Sequence, residues 1–309
     1  MGVSGAVLFV PFYTMVFPLL GHHLEPVQAV EVGLLTEIFG FISSTSAFWR
    51  AGLIDFQIAG FAVLLAAPAA VLGGYASHFL PGNWLLALIG IALVVFAYLL
   101  VGETTGIQAV ASEDSTASEI KVHEDRKGRI YRYKVPNDFW RGSAAGFGGI
   151  LQGLVGFSAG ELSTVEQVLR GMPIRIAVGN SHLIIAAASI CAAITHLAVS
   201  ESQGTQIPWN LVAITIPAVL IGGQLAGLLA GRIPQKIMHL VLAGFLAFIG
   251  LLSAYRASIL SGLHLPSWLL WASVLACLAG MALFARRRRV EIREECDEVC
   301  VSCAPSDKD

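Results

Sequence analysis

Seven apolar runs, each about as long as a membrane-spanning helix, constrain this chain more than any other feature of its sequence. A helix needs about 20 predominantly apolar residues to cross the hydrocarbon core of a bilayer. Only 13% of the 309 residues are charged, against roughly 25% in soluble domains. The sequence therefore predicts an all-α, polytopic membrane protein. The seven predicted spans are Val27–Phe48, Ile58–Ser77, Trp84–Val101, Ile176–Val199, Leu211–Ala230, Ile237–Ala254 and Ser267–Ala285.

An internal repeat divides these spans into two sets. The stretch AAPAAVLGG aligns with TIPAVLIGG, which matches Pro68 with Pro217. The opening GVSGAVL (2–8) aligns with GFSAGEL (156–162), and glycines interrupt the apolar pattern in both. An apolar helix, FWRGSAAGFGGILQGLV, precedes the second copy of this motif and has no counterpart before the first. We therefore expect the chain to begin inside its first repeat, through a misplaced start codon or a truncation.

The positions of the basic residues predict how the glycine-broken segment 141–171 is folded. Lys and Arg are retained on the cytoplasmic side of a membrane. If the segment crosses the membrane, the basic residues divide almost evenly between the two sides. If it forms a hairpin that returns to its starting side, every Lys and Arg except Arg256 lies on one side. The hairpin is therefore predicted, with opposite orientations for the two repeats and a cytoplasmic C-terminus.

The predicted architecture is an inverted repeat, in which each copy has a broken or re-entrant hairpin and three transmembrane helices. One extra C-terminal helix follows. The alternation in RIYRYKV predicts a short strand or an interfacial segment in the polar loop. The predicted parts are a first repeat over 1–102 that lacks its first half-helix, a cytoplasmic loop over 103–138, a second repeat over 139–256, a final helix over 267–285 and a cytoplasmic tail over 286–309.

Broken helices at matching places of two inverted repeats are typical of secondary transporters. Irregular backbone at membrane depth is tolerated only where it is buried in protein or lines a cavity. The half-helix that follows each break presents free N–H groups and a positive dipole end, which suits an anion. The alternative is that these glycines only permit close helix packing. The expected anion-binding residues of the two breaks are Gly2, Ser4, Gly5, Gly156, Ser158, Ala159 and Gly160.

The two break motifs, GVSGAVLFVP and GLVGFSAGEL, resemble the sulfite exporter TauE/SafE family, also called the toluene sulfonate uptake permease family. The prolines that open the following helices, Pro26 and Pro173, and the duplicated layout fit the same family. The resemblance implies a transporter for sulfite, sulfonates or related sulfur-containing anions in the cell membrane. The chain departs from the family in lacking the first apolar helix and in carrying Ala6 where a third glycine is usual.

Three carboxylates in or beside the apolar runs are candidates for proton coupling, because ionisable residues inside a membrane are usually functional. Glu37 lies in mid-span, and the alternative for it is a neutral acid bonded to Thr36 or to a neighbouring helix. Glu31 lies nearer the helix start, where it could reach the interface. Glu161 follows Ser158 at the spacing of a capping box, so capping competes with a gating role.

Polar residues of the fourth predicted span are further candidates. Asn180, Ser181 and His182 could donate hydrogen bonds to sulfonate oxygens, with ordinary helix packing as the alternative. His196 lies close to the predicted outer end of the same span and is expected at the interface. Gln152 is a buried amide for which binding and packing are equally open.

Two other classes of function were weighed against a transporter. GVSG and GFSAG both fit a serine-nucleophile motif, but an intramembrane serine hydrolase needs one copy and one matching histidine, so no enzyme is predicted. A scaffold or sensor could use the tail residues Cys296, Cys300 and Cys303, which are too few for a complete metal site. No cofactor, metal or nucleic acid is expected. The predicted partners are a small sulfur-containing anion and the lipid bilayer, and the sequence leaves homo-oligomer formation open.

Overall fold

The computed structural model describes residues 5–15, 17, 24–104, 120–135, 138–230, 235–262, 266, 272–277 and 279–280. Helices dominate these residues, and one small antiparallel sheet interrupts them. The elements are α1 (Gly5–Met15), α2 (Pro26–Ala51), α3 (Phe56–Ser77), α4 (Gly82–Thr104), β1 (Ile120–Glu124), β2 (Ile130–Lys134), α5 (Asp138–Val155), α6 (Ala159–Leu169), α7 (Ile174–Gln203), α8 (Trp209–Ala230) and α9 (Gln235–Leu260).

The helices have the length and composition of membrane spans. In the described part of the chain, α2, α3, α7 and residues Ala243–Leu260 of α9 are long and apolar enough to cross a bilayer. Shorter apolar stretches, Gly82–Tyr98 and Trp209–Ile221, lie in α4 and α8. The prediction of an all-α polytopic membrane protein is confirmed. The predicted final span lies mostly outside the described residues, and the cysteine-containing tail lies wholly outside them.

Local sequence signals set the helix ends near the loop between α2 and α3. Pro26 opens α2, where its missing N–H costs no hydrogen bond. Gly52 ends α2 with a φ of 70°, a left-handed conformation that glycine adopts without strain. Asp55 caps α3, because its carboxylate accepts the backbone N–H groups of Gln57 and Ile58 at 3.1 and 3.4 Å.

Small residues let the helices approach one another closely, as is usual in membranes. A Cβ added to Gly149 or Gly153 of α5 would stand only 2.3 or 2.1 Å from the carbonyl oxygens of Ala66 and Ala70 on α3. A Cβ on Gly90 of α4 would likewise stand 2.7 Å from a carbonyl oxygen of α9. These contacts allow no side chain, so the packing of α5 on α3 depends on glycine.

The chain reverses between α5 and α6. Gly156 has a φ of 76° immediately after α5 ends. A Cβ on Gly148 would stand 2.8 Å from the Cα of Ala159, although 11 residues separate them, so α6 runs back along α5. Tyr133, just before α5, packs with Met172, just after α6. The two helices therefore form a hairpin whose ends both lie beside the sheet, while its return to one side of a membrane stays a prediction.

The sheet is a two-stranded hairpin that docks on the loop between α2 and α3. Its register pairs Lys121 with Tyr133 and His123 with Tyr131. The strand predicted from RIYRYKV is β2, whereas β1 was not predicted from the sequence. The His123 ring nitrogen Nε2 lies 2.8 Å from the carbonyl oxygen of Gly52. The first part of the polar loop, residues 105–119, lies outside the described residues.

Candidate functional site

The start of α1 and the break before α6 face each other. A Cβ added to Gly156 would stand 3.2 Å from the Cβ of Ala6. Gly5 is the first residue of α1, whereas the predicted site residues Gly2 and Ser4 lie outside the described residues. The two half-helices α1 and α6 thus begin close to one another.

The carboxylate of Glu37 lies at the start of α1. Its Oε2 accepts the backbone N–H of Ala6 at 2.9 Å. Its Oε1 accepts the Ser189 hydroxyl at 2.8 Å and Nε2–H of Gln152 at 3.2 Å. The side chain is only 2% exposed. A buried carboxylate with three donors around it is well accommodated, and it places negative charge where the helix dipole favours it.

Gln152 connects this carboxylate to the second half-helix. Its Oε1 accepts the backbone N–H of Ala159, in the first turn of α6, at 2.9 Å. Its Nε2 also lies 2.6 Å from Oγ of Ser189 and 3.3 Å from the carbonyl oxygen of Ile185. We call Glu37, Gln152 and Ser189 the central network. Through it, hydrogen bonds join α1, α2, α5, α6 and α7.

Thr36, one of the two partners considered for Glu37 in the alternative of a neutral acid, bonds elsewhere in the described contacts. The Thr36 hydroxyl lies 2.8 Å from the carbonyl oxygen of Val32 on its own helix, and 2.8 Å from Oγ1 of Thr215 on α8. Consecutive helix residues point about 100° apart, so Thr36 faces α8 while Glu37 faces α5 and α7. Contact of Glu37 with neighbouring helices, the other part of that alternative, is what the structure shows.

Ser158 caps α6, and the glycine that follows it packs against α7. The Ser158 hydroxyl oxygen accepts the N–H of Gly160 at 3.2 Å, an ordinary N-cap bond, whereas the expected capping box would use the N–H of Glu161, which instead donates to the Ser158 carbonyl oxygen. A Cβ on Gly160 would stand 2.7 Å from the carbonyl oxygen of Ser181. Glu161 is buried in the same first turn. Close packing is therefore one role of this glycine, whether or not an anion binds here.

Asn180 bonds away from the central network. Its Oδ1 accepts the backbone N–H of Asp55 at 2.8 Å, and its Nδ2 donates to Oε1 of Gln167 at 3.0 Å. These bonds connect α7 to the loop before α3 and to the end of α6. The position fits a structural tie near the sheet, and both polar atoms of the amide are in use.

Ser181 and His182 also bond within their own helix. The Ser181 hydroxyl donates to the carbonyl oxygen of Val178 at 2.8 Å, and Nδ1 of His182 lies 2.7 Å from the same oxygen. The His182 ring packs beside Phe41 and Phe48, with centroids 5.1 and 4.7 Å away. Of the three candidates in this span, none has a hydrogen bond to the central network among the described contacts.

His196 does not lie at the interface as expected, and Glu31, which could have reached the interface, does not reach it. Glu31 and His196 are both fully buried. His196 Nε2 donates to the carbonyl oxygen of Gly153 at 2.8 Å, because that carbonyl can only accept; its Nδ1 therefore accepts from Nε2 of His78 at 3.1 Å. Hydropathy indicates where a residue lies along a span, but the face that it occupies depends on which helices pack there.

Ser189 was missed from the sequence. It lies in the apolar stretch AAASICAA, where a single small hydroxyl reads as a packing residue. A single serine among apolar neighbours gives no local signal of the side chains that it will contact. Only the packing of α7 on α2 and α5 brings it to Glu37 and Gln152.

Nothing in the described residues assembles a hydrolase or metal site. No histidine in the described part of the chain is hydrogen-bonded to Ser158, whose oxygen accepts the Gly160 N–H. Among the residues that the structure describes, no group of three or more His, Cys, Asp or Glu side chains could hold a metal ion.

Comparison with known proteins identifies the family. "Probable membrane transporter protein YunE" of Bacillus subtilis (strain 168) is 24% identical over 255 residues, which cover 81% of this chain and 89% of that protein. No solved structure matches the chain. The model of the sulfite exporter TauE/SafE family matches residues 1–253. Because the match spans both half-helices and the central network, the chain belongs to the TauE/SafE family of membrane transporters.

Proposed function

We propose that this protein is a secondary transporter that moves sulfite, organosulfonates or related small sulfur-containing anions across the cytoplasmic membrane, coupled to protons. The observation that carries the proposal is the bond from the Ala6 N–H to Glu37. A helix N-terminus is a site where anions bind, and here an internal anion occupies it. Membership of a sulfite exporter family supports sulfur-containing oxyanions as the cargo.

The central network supplies the donors that an oxyanion needs. The Ala6 and Ala159 N–H groups, the Ser189 hydroxyl and the Gln152 amide all donate within it. Sulfite and sulfonates carry three oxygens that accept hydrogen bonds. In this proposal Gly156 lets the two half-helices begin close together, and Ser158 and Gly160 keep the second half-helix in place.

Protonation of Glu37 couples the proton to the anion. The ionised carboxylate and an external anion compete for the same donors and repel each other. A proton on Glu37 removes that repulsion and weakens the bond to Ala6, so that the external anion takes its place. The proton and the anion therefore occupy the site together and leave it together.

The two halves of the chain supply the conformational change. In each half a short helix packs on the long helix that follows it, α1 on α2 and α6 on α7, while α2 also packs on α7 and α4 on α9. We propose that these halves form an inverted repeat with a cytoplasmic C-terminus, and that one half rocks against the other around the central network.

The test compares two buried glutamates of the same helix, by Glu37→Gln and Glu31→Gln. Sulfite flux is measured in proteoliposomes with and without a pH gradient, in competition with taurine, sulfoacetate, thiosulfate and sulfate. One pH unit is worth about 1.4 kcal/mol per coupled proton, or about tenfold in anion accumulation. We expect this accumulation in the wild type and in Glu31→Gln, and its loss in Glu37→Gln with binding retained.

Three results would contradict the proposal in different parts. Absence of sulfite flux in the inserted wild type would remove the proposed cargo. An unchanged gradient dependence in Glu37→Gln would remove its coupling role. Loss of the gradient dependence in Glu31→Gln alone would transfer that role to Glu31.

A further inference from the structure

A second group of charged residues lies at the start of α5, away from the central network. Arg141 is on the buried face of α5 that also carries Ala145 and Gln152. Eleven residues separate Arg141 from Gln152, which places them about 16 Å apart along the helix axis. The two sites thus share one face of α5, at its beginning and near its end.

The guanidinium of Arg141 is buried and only partly bonded. Its side chain is 8% exposed, and it lies over the Phe61 ring at 4.4 Å. It forms an ion pair with Asp138, whose side chain is 73% exposed. Its Nε–H has no hydrogen-bond partner among the described residues. A buried guanidinium with an unused donor is costly, and such groups require an explanation.

Glu166 of α6 is the carboxylate between two arginines. Its Oε1 lies 3.4 Å from Nε of Arg170, which itself lies over the Trp140 ring at 5.5 Å. Both carboxylate oxygens are buried and accept no hydrogen bond from the described residues. Arg141 precedes Gly148 by seven residues and Glu166 follows Ala159 by seven, so the antiparallel contact of α5 with α6 also brings Arg141 beside Glu166. The charges are thus close together, and Nε–H of Arg141 and the two Glu166 oxygens have no hydrogen bond among the described residues.

We propose that Arg141, Glu166 and Arg170, the arginine cluster, form a second binding site for the transported oxyanion at the sheet side of the protein. The guanidinium of an arginine can bind an oxyanion through two parallel N–H bonds. The 3.4 Å ion pair between Arg170 and Glu166 does not have this geometry. The anion displaces the Glu166 carboxylate and fills the unused Nε–H of Arg141. This inference rests on the proposed function, since it assigns a second binding site to the same transported anion.

The experiment measures transport from each side separately, in oriented proteoliposomes. Arg141→Gln is expected to raise the KM for sulfite on the sheet side by about tenfold, the cost of one charge-assisted bond. KM on the opposite side should change little. Glu166→Gln should lower the sheet-side KM, because the competing carboxylate is gone. Arg132→Gln, an exposed arginine of the sheet, is the matched control and should leave every value unchanged.

The results separate this inference from the proposed function. If the wild type transports sulfite and Arg141→Gln matches Arg132→Gln on both sides, the arginine cluster is not a site. If Arg141→Gln does not fold, Arg141→Lys and Glu166→Gln decide, with a higher and a lower KM expected. If the wild type shows no flux, sulfite binding is titrated calorimetrically: weaker binding in Arg141→Gln supports the cluster, and equal binding overturns it.

Discussion

At the scale of single residues, Asp55 ties the sheet to the transmembrane helices. Its carboxylate lies 2.7 Å from Nζ of Lys121 and accepts the Tyr133 hydroxyl at 2.7 Å, while it also caps α3. Burial raises the pKa of Asp55, but the hydrogen bonds from Lys121 and Tyr133 and the Lys121 charge outweigh it and lower the pKa below 3.8. The ionised form of Asp55 therefore stabilises the folded state.

Acid should remove this stabilisation. Because the pKa of Asp55 is lower in the folded protein than in the unfolded one, its contribution is full above about pH 4 and is lost as the pH falls through the lowered value. Asp55→Asn keeps a capping oxygen but loses the ion pair. We expect it to lower the free energy of unfolding at pH 7 by on the order of 2 kcal/mol.

To test this prediction, the free energy of unfolding is measured in detergent from pH 3 to pH 7. The proteins compared are the wild type, Asp55→Asn and the exposed control Glu124→Gln. The Asp55→Asn curve should depend less on acid pH than the wild-type curve. Parallel curves for these two proteins would show that Asp55 does not hold its charge through these contacts.

The sequence predicts how deep a polar residue lies in the membrane more readily than it predicts which residues that side chain contacts. Glu37 stood out because an acid in mid-span is costly. The three donors that the structure describes for it belong to α1, α5 and α7, and no local pattern encodes which side chains of separate helices meet. The burial of Glu31 and His196 was not predicted for the same reason.

At the scale of elements, the contact of α3 with α5 depends on backbones that almost touch. Gly153→Ala would place a Cβ 2.1 Å from the Ala70 carbonyl oxygen, where the backbone must move. We expect a loss of about 1–3 kcal/mol in the free energy of unfolding. Gly146→Ala on the same helix meets nothing within 4 Å and should be neutral or stabilising by up to about 1 kcal/mol.

Unfolding in mixed detergent micelles measures both glycine variants against the wild type. The prediction requires Gly153→Ala to unfold more readily than Gly146→Ala. Equal stabilities would mean that α3 and α5 separate at little cost.

The elements themselves were largely predictable. Long apolar runs mark α2, α3 and α7, and the glycines at 156 and 160 mark the break between α5 and α6. The strand β1 was missed because IKVHE gives a weak alternation on its own. Its partner β2 is close in sequence, but the loop on which the sheet docks, which also stabilises β1, is distant: His123 and Gly52 are 71 residues apart.

At the scale of the whole molecule, the sheet, the loop between α2 and α3 and the turn between α6 and α7 gather at one end. Tyr133 packs with Ile58, Met172 and Ile176 there. The opposite ends of α3 and α7 meet through His78 and His196. Among the described basic residues, Arg50 and those of the sheet lie at this first end, so the positive-inside rule predicts that it faces the cytoplasm.

Cysteine labelling tests this sidedness, in a background whose five native cysteines are replaced by serine. Exposed positions are Lys127 in the sheet turn, Arg175 at the start of α7 and Ser202 at its end. We expect a membrane-impermeant maleimide to label Ser202→Cys in intact cells, and Lys127→Cys and Arg175→Cys only after permeabilisation. The reverse pattern would invert the orientation. Labelling of Lys127→Cys and Arg175→Cys from different sides would mean that α5 and α6 cross the membrane, because these positions flank that hairpin.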